Sequence, residues 1–212
     1  MKLGRITVLA AGALLLGVFL RAADVSPATA ERTVDPSTLR GKVMAGYQAW
    51  FRCPGDAADI GWSHWSEDRN RITPETIHPD FWPDMAAYGS IRSYPAPGFT
   101  TADGEPVACY SACDPDVIQL HFEWMRDYDI DGAWLQHFVV SLPGQPDEAT
   151  HPSHTQVIHH VANVAGKTGR VWALSYDLAG ARGTPQEVFD LVAADWRKMV
   201  DSGIAKGPRY LH

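Results

Sequence analysis

Sustained helical spacing of apolar residues begins at Asp114. Val117, Ile118, His121, Phe122, Trp124, Met125 and Tyr128 recur three and four residues apart, behind an Asp114 able to cap a helix and Pro115 at its first position. Next comes a short apolar run, Gly132 to Val140, that reads as a buried strand. A helical pattern follows from about His154 to Ala165, then a second strand from Arg170 to Leu178. Thr184-Pro185-Gln186-Glu187 has the spacing of a capping box, and the helix it opens is expected to bury Phe189, Val192, Trp196 and Met199. A further strand opens at Arg209. Earlier in the chain, Lys42 to Phe51 reads as a strand.

Strand starts near 132, 170 and 209 define a strand–helix repeat of roughly forty residues, the signature of a parallel sheet in the α/β class. An open doubly wound sheet and a (β/α)8 barrel both satisfy that order. Neither a glycine-rich phosphate turn after the first strand nor any G-x-G-x-x-G is present, which weighs against the dinucleotide-binding version. A full barrel takes about 250 residues. Residues 42–212 are therefore expected to form the N-terminal half of a (β/α)8 TIM-type barrel: about three βα units plus a long first loop. Glu31 to about Gly41 reads as a short polar lead-in.

That long loop, 52–113, is rich in proline and glycine and carries no sustained period. Its opening, "GYQAWFRCPGDAADIGWSHW", concentrates Tyr47, Trp50, Phe51, Trp62, His64 and Trp65. Disordered segments are poor in aromatic residues, so an ordered, functional connection is expected instead.

The first thirty residues change the picture of compartment. Two positive charges precede an apolar run from Ile6 to Leu20, and Ala28-Thr29-Ala30 is an A-x-A cleavage site. These are the parts of a secretory signal peptide, residues 1–30, with cleavage after Ala30 and a secreted product; left uncleaved, it would be a membrane anchor. Cleavage removes Lys2, Arg5 and Arg21 against Asp24, leaving 15 basic and 24 acidic residues, a net charge of about −9. Without clustered Lys and Arg, nucleic-acid binding is not expected, nor membrane binding after cleavage. Cys53, Cys109 and Cys113 would meet an oxidising compartment. Cys53 can pair with Cys109 or Cys113, or the two near neighbours with each other, and an odd count leaves one thiol over.

Loops that follow the strands build the active face of a βα barrel. On that rule Tyr47, Trp50, His64 and Trp65 rim the same cleft as His137, Tyr176 and Asp177. Aromatic faces with a few polar groups suit a sugar, so an oligosaccharide or polysaccharide is the expected partner. No metal and no cofactor are expected. Asp127, Asp129 and Asp131 copy the first half of an EF-hand loop, yet Phe138 stands where the bidentate Glu belongs. His151, His154, His159 and His160 have helical spacings without an H-E-x-x-H, and a helix face is the simpler reading. No G-x-S-x-G supports a serine hydrolase. Glycoside hydrolysis needs two carboxylates, and Asp177 is the only acid in the final residues of a well-defined strand.

Four stretches, "GYQAWF", "FWPDMAAYG", "HFEWMRDYDIDGAWLQHF" and "WALSYDLAG", together resemble bacterial proteins of glycoside hydrolase families 71 and 99 across residues 42–212. Those families include endo-α-mannosidases, with relatives described as xylosidases or arabinosidases. The resemblance implies a (β/α)8 barrel and retaining hydrolysis of α-linked sugars of the mannan, xylan or arabinan type. In family 99 that proceeds through an epoxide-like intermediate. It also implies a sugar-contacting role for Tyr47 and for the loop around His64 and Trp65, with His137 and Tyr176 at cleft-lining strand ends. The family 99 acids sit in an N-E-W-H-E-like segment, which this chain lacks; Glu123-Trp124 is the nearest echo, inside a helix and with Arg126 in place of the second Glu. No catalytic residue is assigned in this chain, and the reactive acids are expected beyond His212. The chain alone is expected to be inactive. The competing expectation is a non-catalytic carbohydrate-binding or surface protein on a degenerate barrel.

Overall fold

The computed structural model describes residues 32–212, so the expected signal peptide lies outside the described residues. Three parallel strands form the main sheet in sequential order: β1 (Met44–Tyr47), β4 (Gly132–Phe138) and β5 (Val171–Asp177). β1 and β4 are in register from Met44 with Gly132, and β4 and β5 from Gly132 with Val171 to Phe138 with Asp177. Between them run α1 (Pro115–Asp127), α2 (His151–Thr168) and, after β5, α3 (Pro185–Asp201). The strand at Arg209 is confined to one parallel bridge, Tyr210 with Trp172. Sequential parallel strands with intervening helices are compatible with part of a TIM-type barrel; the described residues do not close one.

The register is pinned at Gly132. A Cβ there would lie 2.0 Å from the Val171 carbonyl oxygen, so only glycine lets β4 and β5 approach. The main core then fills between the sheet and the first two helices. Ile118, Phe122 and Met125 from α1 and Val157, Ile158, Val161 and Val164 from α2 meet Ala133, Leu135 and Trp172.

Four expectations need correction. The segment 52–113 is not irregular throughout: it contains an antiparallel hairpin, β2 (Tyr94–Thr100) with β3 (Pro106–Cys109), and a 3-10 turn at Met85–Tyr88. Proline at alternate positions of β2 hid this strand from pattern reading, yet an edge strand tolerates it. The hairpin and the loop build a second core of Cys53, Trp62, Trp65, Ile72, Tyr94, Ala96, Val107 and Cys109.

Second, the lead-in is part of the fold. Val34 is buried in the main core, its N–H donates to Gly169 O at 2.9 Å, and Arg209 Nη1 donates to its carbonyl at 2.8 Å. Asp131 explains the acidic turn before β4: its carboxylate accepts from Val43 N at 2.8 Å and pairs with Arg32 at 2.7 Å. Third, Asp114 occupies the N-cap position of α1 but makes no capping bond; its carboxylate accepts the Tyr94 hydroxyl instead, at 3.0 Å.

Fourth, α3 does not bury its whole apolar stripe. Its capping box forms as expected, with both reciprocal bonds between Thr184 and Glu187. Met199 packs against the main core, but Val192 is only half-buried, Phe189 is 65% exposed and Trp196 is 36% exposed. Phe189 and Trp196 face the β5 edge and the Tyr210–Leu211 segment, which supplies one bridge only. An apolar groove of about 710 Å³ remains there.

Candidate functional site

Parallel strands in register send matched side chains to the same face. Tyr47 matches Leu135, and His137, two residues on, matches Tyr176. Tyr47, His137 and Tyr176 therefore share the face covered by the helices, and each makes its polar contact there. The Tyr47 hydroxyl meets His121 Nδ1 of α1 at 2.9 Å, and the Tyr88 hydroxyl meets Nε2 at 3.0 Å. Burial lowers the His121 imidazolium to about 4, so the ring is neutral and holds one donor and one acceptor between the two phenols. Burial, then the neighbouring Tyr110 and Tyr88, hold the Tyr47 hydroxyl protonated well past its usual range. Tyr47 also borders a cleft of about 140 Å³ with Gln48, Trp50, Tyr110 and His121.

His137 is 1% exposed, and its Nε2 lies 2.9 Å from Asp195 Oδ2 of α3. The Tyr176 hydroxyl donates to the same oxygen at 2.7 Å. Burial alone would raise the Asp195 carboxyl, but the hydrogen bonds from His137 and Tyr176 hold it below its ordinary value. This buried knot ties α3 to β4 and β5. His137 is thus a packing anchor and does not rim an open cleft.

The opposite face carries Trp134, Gln136 and Phe138 beside Ala173, Ser175 and Asp177. Gln136 Nε2 approaches Asp177 Oδ2 at 3.5 Å, and Asp177 Oδ1 accepts Ala179 N at 2.8 Å in a local turn. The Gln136 side-chain oxygen Oε1 is buried without a partner.

At the carboxyl ends of β1 and β4, three rings lie nearly parallel, with Phe138 the last residue of β4. Trp50 stacks on His64 at 4.0 Å and 13°, and on Phe138 at 5.5 Å and 14°. His64 adopts a left-handed backbone with φ 62°, a conformation that costs a non-glycine residue roughly 1 kcal/mol. Burial, then the charge of Arg69, brings its imidazolium down to about 4, so at neutral pH the ring offers one donor and one acceptor. Arg69 pairs with Asp147 at 2.8 Å and so fixes this part of the loop to the β4–α2 connection. Arg52 is fully buried beneath: Nη1 donates to Ala49 O and Phe51 O, and Nε to Ser153 Oγ.

Trp65 lies elsewhere. It is 2% exposed in the second core, with its indole N–H donating to Tyr110 O at 3.1 Å, and Trp62 is buried beside it. Of the seven residues singled out in sequence, Trp50 and His64 stack together, Asp177 sits half-buried on the open face, and Tyr47 faces both cleft and helix. His137 and Trp65 are interior, and Tyr176 is half-buried, bonded to Asp195 and lining the groove beside α3. Sequence reasoning missed His121, Asp195 and Arg52 as organising residues. The available signal for the first two was a polar residue inside a helix's apolar stripe.

No helix among the described residues is long and apolar enough to cross a membrane, and no group of three or more His, Cys, Asp or Glu is placed to hold a metal. His154 instead packs its ring on Phe138 at 5.1 Å.

No protein-family profile matches the chain, and no curated protein matches it. Among solved structures it is similar to the GH99 endo-alpha-mannosidase from Bacteroides thetaiotaomicron, at 17% identity and a TM-score of 0.46 over 82% of this chain. The chain spans 43% of that structure's length.

Proposed function

We propose that this chain is the glycan-binding part of an exported protein of glycoside-hydrolase type, with the half-buried Trp50 and His64, backed by the buried Phe138, as its sugar-facing wall. The observation that carries the reading is that stack's place at the carboxyl ends of parallel strands, where a βα fold presents its ligands. A wall of neutral rings with a hydrogen-bonding imidazole suits a polyhydroxylated, uncharged ligand. The four motif stretches point to α-linked glycans of the mannan, xylan or arabinan class. In this reading residues 32–212 bind but do not cleave. Asp177 is the one carboxylate that closes a described strand of the main sheet, and its oxygens already serve Ala179 and Gln136.

That same observation favours a second reading, a non-catalytic binding module. The experiment is titration of linear α-mannan, xylan and arabinan oligosaccharides against tryptophan fluorescence, paired with aryl-glycoside hydrolysis. Binding by the wild type, a loss of at least tenfold in W50A and H64A, and no hydrolysis above background support the reading. Unchanged binding in both variants removes the ring stack from the site, and measurable turnover overturns the division between binding and cleavage.

A further inference from the structure

We propose that Cys53 and Cys109 form a disulfide during oxidative folding, while Cys113 stays a free thiol. This inference is independent of the glycan reading and rests on how the fold sorts three cysteines that sequence leaves interchangeable. All three are buried and reduced in the structure. Cys53 and Cys109 are each 0% exposed and belong to the same cluster, packed with Trp62, Trp65, Tyr94 and Val107. Cys113 is outside that cluster. Its backbone N–H donates to Ser111 Oγ at 3.0 Å, and its thiol sits beside the Arg52 guanidinium.

The chain path agrees. Ala112 N donates to Phe51 O at 3.0 Å, which lays the segment around Phe51–Cys53 alongside Tyr110–Ala112. The Cys53 thiol reaches Tyr110 O at 3.4 Å, one residue from Cys109. Asp56 locks the same turn, accepting Cys53 N at 2.9 Å and Ser111 Oγ at 2.6 Å on one oxygen. The two sulfurs are therefore held in one compartment by non-covalent contacts that exist without the bond.

Burial also sets when the bond can form. Thiol–disulfide exchange needs a thiolate. Burial pushes the Cys109 thiol up to about 12, and burial together with neighbouring Cys109 pushes Cys53 higher still. In the closed core neither sulfur is a competent nucleophile, so the bond forms while the loop is still open. The oxidant is a low-molecular-weight disulfide. One cysteine thiolate attacks it, expelling one small thiolate and leaving a mixed disulfide. The second cysteine thiolate attacks the protein sulfur of that bond and expels the other small thiolate. The protons given up by the two cysteines go to the two released thiolates, and the oxidant's S–S bond is replaced by the protein's.

The test refolds the reduced, denatured full chain in a mixture of oxidised and reduced glutathione, then alkylates, digests with chymotrypsin and weighs the peptides. Cleavage after Tyr110 separates Cys109 from Cys113. The expected result is one alkylated thiol, at Cys113, and a linked pair of peptides carrying Cys53 and Cys109. C113A retains this link, whereas C53A and C109A each lose it. Wild type refolded with oxidant melts on the order of 10 °C above the same protein refolded with reductant, because the bond closes a long loop. Oxidant added after reduced folding forms the link at least tenfold more slowly. A link through Cys113, or three alkylated thiols after oxidative refolding, overturns the proposal.

Discussion

Asp195 is the buried residue of α3, a carboxylate set within the helix's apolar stripe. Its carboxylate takes hydrogen bonds from His137 and Tyr176, so a helix with an exposed apolar face is still held firmly to the sheet. Removing the acceptor leaves two buried donors without a partner, and each such loss costs about 1–3 kcal/mol. D195A is expected to lower unfolding free energy by roughly 3 kcal/mol, measured by urea denaturation. D195N, which keeps the shape and one carbonyl acceptor, is expected to lose less. Equal stability of D195A and wild type would mean that the knot contributes nothing. The contact between His137 and Asp195 spans 58 residues, so a polar residue within the apolar stripe of α3 was visible locally but its partner was not.

Among the elements, α3 divides into two parts with opposite sensitivities. Met199 touches the main core, whereas Phe189 and Trp196 border the open groove. M199K puts a charge at a half-buried position against the main core and is expected to cost about 1–2 kcal/mol in a thermal or urea melt. F189K and W196K are expected to change stability by less than about 1 kcal/mol while reducing self-association, as followed by light scattering across protein concentration. The reverse order of effects would place the covered face on the other half of the helix. Spacing and the capping box located α3, β4 and β5 within a few residues, because those signals are local. The hairpin of β2 and β3 was not legible, because its proline-bearing strands pair only with each other, away from the main sheet.

At the scale of the molecule, three packed histidines act alike: His64 and His154, joined through Trp50 and Phe138, and His121, bonded to Tyr47. Burial is the first cause for each, with Arg69 adding to it at His64 and Arg52 at His154, and their imidazolium forms are pushed down to about 4 at His64 and His121 and about 3 at His154. The unfolded chain takes up a proton at each near pH 6.5, while the folded chain resists until the lower value. Stability is therefore present above about pH 6.5 and is lost as pH falls toward 4. The half-exposed His64 contributes least. The urea midpoint is expected to drop steadily from pH 7 to pH 5, and H121Q to flatten that drop; a midpoint that rises on acidification would reverse the sign. The packing that buries these rings also joins the lead-in at Val34 to the main core and the end of α2, a contact no local pattern announced.

The sequence by itself determined the α/β order, the parallel sense of the sheet, the starts of α1 and α3 and the ring-rich character of the loop after β1, since each depends on residues near one another in the chain. Only the tertiary structure decided which rings face outward. Trp50 and Trp65 stand fifteen residues apart in one aromatic stretch, yet one stacks at the mouth and the other fills a core. The register of β1 against β4 likewise turned Tyr47 and His137 toward the helices, and a side chain's face depends on the strand beside it.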